Sequence, residues 1–378
     1  MTTADQVETG RSRLVLPFRI QFEPRLEIPR WLPVTISVAA VVISLMLGAL
    51  ALRMAGEANP FGAYATIARE LFGTWGGFSD VLVQATPLIL VGLACSVAFR
   101  MRLWNIGAEG QFFVGAFAAS AVVLTPIVPA EAPRWVFIPV MALAGLIGGA
   151  VWGFVPGILK ARFNVNEVIT TLMMNYIAIE WNNYWIFAVW SEAGFQMSPR
   201  FPQNAWLPRL ADYAKQVPEF GGLTLHLGLL FGPIAAAIVW WILYRSKWGY
   251  EIRLAGDNPN AARYAGINIG RNVVLVMMLS GALAGLAGMA QIGGVVRRLQ
   301  GAISPGYGFT GIIIAWLSKL NPLIVIVVSI LFGALIIAGR DIGRSGLSML
   351  IQGIVLFALI ASDYLLRNRP RLVRTQEA

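Results

Sequence analysis

Two groups of polar residues interrupt long apolar stretches of this sequence, and both carry side chains able to hold a small polar solute. The first is Asn105, Glu109 and Gln111, within Asn105-Ile-Gly-Ala-Glu-Gly-Gln111. The second is Asn175, Tyr176, Glu180, Trp181, Asn182, Asn183 and Trp185. Amides hydrogen-bond the edges of a heterocycle and an aromatic ring stacks on its face, so Asn175, Tyr176 and Asn182 suit a base-like ring. Polar groups inside a membrane span are costly and face a protein interior or a water-filled path. Glu109 and Gln111 stand in a Gly-flanked stretch, where an unwound helix would expose backbone dipoles to a ligand. A second reading stays open beside this one. Asn105, Glu109 and Gln111 can instead cap a helix, and the amides of the second group can bond between helices.

Chemistry that breaks covalent bonds finds no support. Lys160, Lys215, Lys247 and Lys319 are each followed by residues other than Ser or Thr and none follows Gly, so no phosphate-cradling loop is present. There is no H-E-x-x-H and no nucleophile elbow. His226 is the one histidine, and without convergent Cys, Asp or Glu it makes no metal site. The chain reads as a non-enzyme that binds no cofactor.

The elements that position these residues are membrane helices. Of 378 residues 57% are hydrophobic and 13% charged, with a mean hydropathy of +0.68. A soluble domain carries about a quarter charged residues. Apolar runs of about 20 residues span a bilayer, and such runs lie near 31–52, 81–99, 112–128, 135–159, 168–189, 223–243, 273–296, 306–318, 320–338 and 347–366. The run at 306–318 is short and Pro-flanked, so eight to ten spans are expected in an all-α bundle. The domains expected are a polar segment 1–30, a transmembrane body 31–366 and a tail 367–378. With ten crossings and the N-terminus inside, 19 of the 29 Lys and Arg fall inside and 10 outside, which favours both termini in the cytoplasm. The charge of +10 is spread over span ends, where it anchors to lipid headgroups, and forms no nucleic-acid surface. Cys95 is alone, so no intrachain disulfide forms. The polar first thirty residues are unlike a cleavable signal peptide.

Two connecting stretches stand out: 190–222, outside in this topology, and 244–270, inside. In the second, Asp257 or Asn258 can cap a helix, Pro259 suits its first position and Gly266 the left-handed residue that ends it. A two-turn helix over 259–265 follows, with Ala261, Ala262 and Ala265 small enough to dock into a groove. Alone in water it would be marginal, so it needs a partner surface. Arg297-Arg298 and Arg340-Asp341…Arg344 receive acidic residues of a partner, anchor span ends, or mark a different topology around the short run at 306–318. Gly145, Gly149, Gly153 and Gly157, and likewise Gly281, Gly285 and Gly288, form small-residue rows that let helices approach closely.

The 244–270 stretch carries Gly249, Ala255, Gly256, Asn258, Ala261, Ala262, Gly266 and Ile267 in the order seen in the cytoplasmic coupling loop of ABC-importer permeases serving sugars, nucleosides and branched-chain amino acids, and it resembles that loop. The Asn105–Gln111 stretch and Asn164-Val-Asn-Glu167…Asn175-Tyr-Ile are similar to two further signatures, the latter strongest in nucleoside-type permeases. The resemblance covers roughly 80–365. It implies a path-forming subunit whose coupling surface is Gly256, Asp257, Asn258, Pro259, Ala261, Ala262, Ala265 and Gly266. It also implies an ATPase subunit that binds ATP-Mg, a second permease subunit and an extracytoplasmic solute-binding protein. The substrate implied is a nucleoside or related small polar solute; a simple sugar is the alternative. From physics alone an ion-coupled transporter also stands, with Glu180 or Asp363 as its ionisable group. The repeated Asn-Ile-Gly at 105–107 and 268–270 is too short to establish an internal repeat.

Overall fold

The computed structural model describes residues 18–25, 29, 31–56, 59–125, 127–129 and 131–341, and from 350 to 374 the positions 350, 353–354, 357–358, 361–362, 364–366 and 368–374. Half of the expected span at 347–366 therefore lies outside the described residues, as do Arg344, Asp363 and most of segment 1–30. The side chains of Arg340 and Asp341 do too. The chain falls into two compact units, one drawn from Met1–Glu57 and Gly353–Ala378, the other from Ala58–Gln352.

In the first unit, helix α1 (Leu32–Met54) exposes Val38, Val42, Ile43, Met46 and Leu50 on one broad face and buries apolar Leu32, Ala40, Ala49 and Leu52. A helix apolar on all sides belongs in lipid or a core. Residues 18–24 and 368–374, inside the expected polar segment and tail, form strands. Strand β1 (Phe18–Pro24) pairs antiparallel with β2 (Asn368–Arg374), Gln21 opposite Arg371. Glu23 accepts from Arg371 at 3.0 Å and Arg369 at 3.1 Å. The Arg371 hydrogen bond, more than that of Arg369, holds the Glu23 carboxyl below the usual carboxylate range. The pairing brings residues 18–24 and 368–374 together.

The second unit is a helix bundle around α3 (Trp75–Arg100), α4 (Ala108–Leu124), α5 (Arg134–Phe163) and α10 (Ile269–Gln291). The glycine rows seen in the sequence interlock. A Cβ on Gly149 would overlap the Gly281 carbonyl, one on Gly285 the Gly145 carbonyl, and one on Gly288 the Phe112 carbonyl. Backbones of α5, α4 and α10 thus touch directly, and the gain is dispersion along three helices. Helix α6 (Glu167–Tyr184) starts at Asn166, whose side chain accepts from Val168 N, and runs on as a π-turn, Trp185–Val189. α10 likewise ends in a π-turn, Ile292–Val296.

Among the described residues, Trp75–Arg100, Arg134–Phe163, Leu227–Arg245 and Ile269–Val296 are long and apolar enough to cross a membrane. Val38–Met54, Ala108–Leu124, Tyr307–Leu317 and Pro322–Ala338 are shorter apolar helices. α6 is in neither group, because its amides, Glu180 and aromatic hydroxyls dilute its hydropathy. The short run at 306–318 is α11 (Tyr307–Leu317), entered through Gly306 at φ 92° and followed by α12 (Pro322–Asp341). α2 (Pro60–Gly73), capped by Asn59, was not apparent as a span because it is only half apolar.

The 190–222 stretch is tied down. Ser198 N donates to Leu299 O, Phe201 N to Arg297 O and Leu207 N to Gly293 O, at 2.8–3.0 Å. The Arg209 guanidinium donates to the carbonyls of Gly294 and Val295, closing the end of the α10 π-turn.

Candidate functional site

The polar residues of the first group converge where α4 begins. Asn105 is fully buried. Its Nδ2 donates to Gln111 Oε1 (2.9 Å) and Ser280 Oγ (2.8 Å), and its Oδ1 accepts from Gly107 N (3.0 Å). Ser280 Oγ donates onward to Ala94 O at 2.6 Å, so the amide joins α4, α10 and α3. Asn175, from α6, is also spent on backbone: its Oδ1 accepts from Gly110 N (2.8 Å) and its Nδ2 donates to Ile106 O (2.9 Å). Glu109 Oε2 accepts from Gly308 N at 2.6 Å, in the first turn of α11. Two helix N-termini meet there, and a carboxylate between them complements the positive ends of both. Gln84 and Tyr307 close the set with a 2.7 Å hydrogen bond. Asn105, Glu109, Gln111 and Asn175 thus form one buried network with its hydrogen bonds made inside the protein. Its amides are not turned to an open path.

The second group divides. Asn182 is buried, donating from Nδ2 to Gln300 O at 3.2 Å while its Oδ1 has no partner. Tyr176 faces the other way, 62% exposed. With Ile177, Glu180, Trp181 and Tyr184 it lines a shallow, open hollow along α6. Tyr176, Glu180 and Tyr184 follow at four-residue spacing, one above the other on that face. Asn183 Nδ2 donates to Glu180 Oε2 at 3.4 Å.

At another edge, Ser246 caps α8 (Lys247–Asp257), and Asn258 caps α9 (Pro259–Tyr264) by accepting from Asn260 N and Ala261 N. Asn258 is therefore the cap and Asp257 the exposed last residue of α8. Ala265 ends α9 and Gly266 follows at φ 74°; Gly266 N bonds Arg263 O and Ile267 N bonds Ala262 O, the paired bonds of a Schellman stop. Ala262, expected to face outward, is fully buried in its own chain. So is Gly256, where a Cβ would overlap the Arg100 carbonyl at the end of α3. Gly249 meets the Ile242 carbonyl in the same way, which makes the sharp turn from α7 (Phe231–Arg245) into α8 possible. What α9 offers outward is Pro259, Asn260, Arg263 and above all Tyr264, 95% exposed. No direct signal in the sequence marks Tyr264, although a two-turn helix between caps has few outward positions.

The arginines flanking the π-turn are engaged. Arg298 pairs with Glu192 at 3.2 Å; Arg297 lies 4.0 Å over the Trp206 ring and 3.8 Å from Asp212. His226 Nδ1 accepts from Gly228 N, capping the turn Leu227–Leu230. Burial first, then the charges of Arg209 and Arg297, push its pKa down to about 4, so the ring is neutral. No cluster of three or more His, Cys, Asp or Glu suited to a metal occurs among the described residues.

The model of the permease component of branched-chain amino acid transport systems matches residues 77–360. The chain belongs to that family. It is 35% identical to the guanosine ABC transporter permease NupP of Bacillus subtilis, over 87% of this chain and 93% of that protein. It is 34% identical to a glucose ABC transporter permease of Haloferax volcanii, over 93% of both chains, and 30% to the nucleoside permease NupB of Lactococcus lactis, over 86% and 89%. No solved structure matches. The permease is thus a transport component of an ABC importer and not an enzyme, a multi-pass inner-membrane protein whose family works with an ATPase partner and a substrate-binding protein.

Proposed function

We propose that this permease moves a nucleoside across the inner membrane along the Tyr176–Tyr184 face of α6, by alternating access driven by a separate ATPase that binds ATP-Mg. The observation that carries this is the hollow itself. It presents three aromatic rings and one carboxylate on a largely exposed face of α6. Within a membrane span, a carboxylate such as that of Glu180 facing lipid would be costly. A water-filled path removes that cost. Aromatic faces suit the base and the carboxylate suits hydroxyl or amino donors.

A second permease subunit faces this wall across the path. In Bacillus subtilis the chain matches both NupP, at 35% identity, and a second guanosine permease, NupQ, at 25%. In Lactococcus lactis it matches NupB at 30% and a second nucleoside permease, NupC, at 23%. Two unlike permeases of the same named substrate class in each organism support a heterodimer, with this chain as the NupP-like member. α9 is the coupling helix and docks into the ATPase through Tyr264 and Arg263. Both termini are cytoplasmic, consistent with the Lys and Arg bias and the β1–β2 pairing. The 190–222 stretch is then extracytoplasmic, on the side where the solute-binding protein docks.

The glucose relative favours a second reading, a simple-sugar permease. Proteoliposomes holding this permease with its ATPase, sister permease and binding protein discriminate the two. ATP-dependent uptake of labelled guanosine, competed by nucleosides and not by glucose, is expected. Glucose uptake that nucleosides do not compete would replace the nucleoside reading with the sugar one.

A further inference from the structure

We propose that Glu180 is the specificity-determining residue of the path, selecting neutral solutes with adjacent hydrogen-bond donors and rejecting their phosphorylated counterparts. This rests on the reading of the α6 face as the path.

Four observations carry it. Glu180 is the charged side chain among the five that line the hollow; its neighbours Tyr176, Ile177, Trp181 and Tyr184 are aromatic or aliphatic. It is exposed, unlike Glu109, whose carboxylate is buried and occupied by Gly308 N. Its Oε2 is held by Asn183 Nδ2, itself on the next turn, which limits the swing of the carboxylate. No Lys or Arg lines the hollow to neutralise it. An ionised carboxylate accepts only, so it pairs with a solute that offers two adjacent O–H or N–H groups, such as a ribose diol or the amino and imino edge of a purine. The same charge, bounded by aromatic walls of low polarity, repels a phosphate. Tyr176 and Tyr184, one turn below and one turn above, can stack or slide along a ring while the carboxylate changes donors.

The test uses the purified intact transporter without its binding protein, so that selection by that protein does not intervene. Trp181 reports occupancy: its fluorescence change is the difference between the wild-type protein and W181F. Guanosine is expected to change it and guanosine monophosphate to leave it unchanged. E180Q should weaken guanosine binding roughly tenfold or more, as loss of a charge-assisted bond does, and bring the two ligands within a few-fold of each other. E180D should keep the discrimination with weaker binding. ATPase co-purification checks assembly, and N183A, which frees the carboxylate without removing it, serves should E180Q not assemble; it should widen the range of nucleosides bound while still excluding the monophosphate. Wild-type-like affinity and discrimination in E180Q, or binding of the monophosphate by N183A, would overturn the assignment. If wild-type protein responds to glucose and not to guanosine, the underlying nucleoside reading fails instead.

Discussion

At the scale of single residues, the same side-chain types do opposite work a few ångströms apart. Asn175 holds Gly110 N and Ile106 O, while Tyr176, the next residue, faces the hollow. Replacing Asn175 with Ala leaves the buried Gly110 N–H and the part-buried Ile106 carbonyl without that amide, which costs about 1–3 kcal/mol. N175A should therefore lower the melting temperature of the purified complex while leaving substrate preference unchanged; altered preference without destabilisation would make Asn175 a path residue. His226 gives a pH-dependent counterpart. Its pKa is about 4 in the fold and 6.5 ordinarily, so between those values the unfolded chain binds a proton that the folded chain does not. Stability is then full above pH 6.5 and falls as pH drops toward 4. Thermal melts across that range should show the loss, and H226N should flatten it. The sequence made these polar residues visible because they break apolar runs. It did not show which face each took, since Asn175 and Tyr176 differ by one step of 100° around a helix.

Elements were legible in proportion to how local their causes are. α9 is written in Asn258, Pro259 and Gly266, a cap, a first-turn proline and a left-handed stop, and the structure places it one residue shorter than expected. α8 was hidden because Gly249 and Gly256 read as loop residues, whereas both are needed where α8 approaches the carbonyls of Ile242 and Arg100. Half of the loop's family-like residues therefore serve the permease's own packing. The surface left for a partner includes Tyr264 and Arg263, residue types that dominate binding hot spots. Y264A should weaken association with the ATPase by roughly 30-fold, about 2 kcal/mol. Substrate-stimulated ATP hydrolysis should fall with it while the isolated ATPase is unaffected. Retained affinity and stimulation would move the coupling contact elsewhere.

At the scale of the molecule, composition decides membrane residence, but not how the chain closes on itself. The glycine rows announced close packing without naming partners, and only the fold shows that the α5 row meets the α10 row. The β1–β2 ribbon was illegible for a related reason: its strands are 344 or more residues apart, as the pairing of Pro24 with Asn368 shows, and neither alone alternates strongly enough to be read as a strand. The ribbon nevertheless constrains topology, because two paired strands cannot lie on opposite sides of a bilayer. Cys95, the one native cysteine, is buried and stays silent to thiol reagents. Opposed residues in an antiparallel pair have Cα atoms about 4.5–5.5 Å apart, within the span of a disulfide. Q21C with R371C should therefore cross-link within the chain under mild oxidation, while Q21C with R369C, out of register, should do so less. In sealed right-side-out vesicles Q21C alone should resist an impermeant maleimide and react once the membrane is opened. Labelling from outside would place both termini outside the cell, reverse every sidedness assigned here, and put α9 out of reach of a cytoplasmic ATPase.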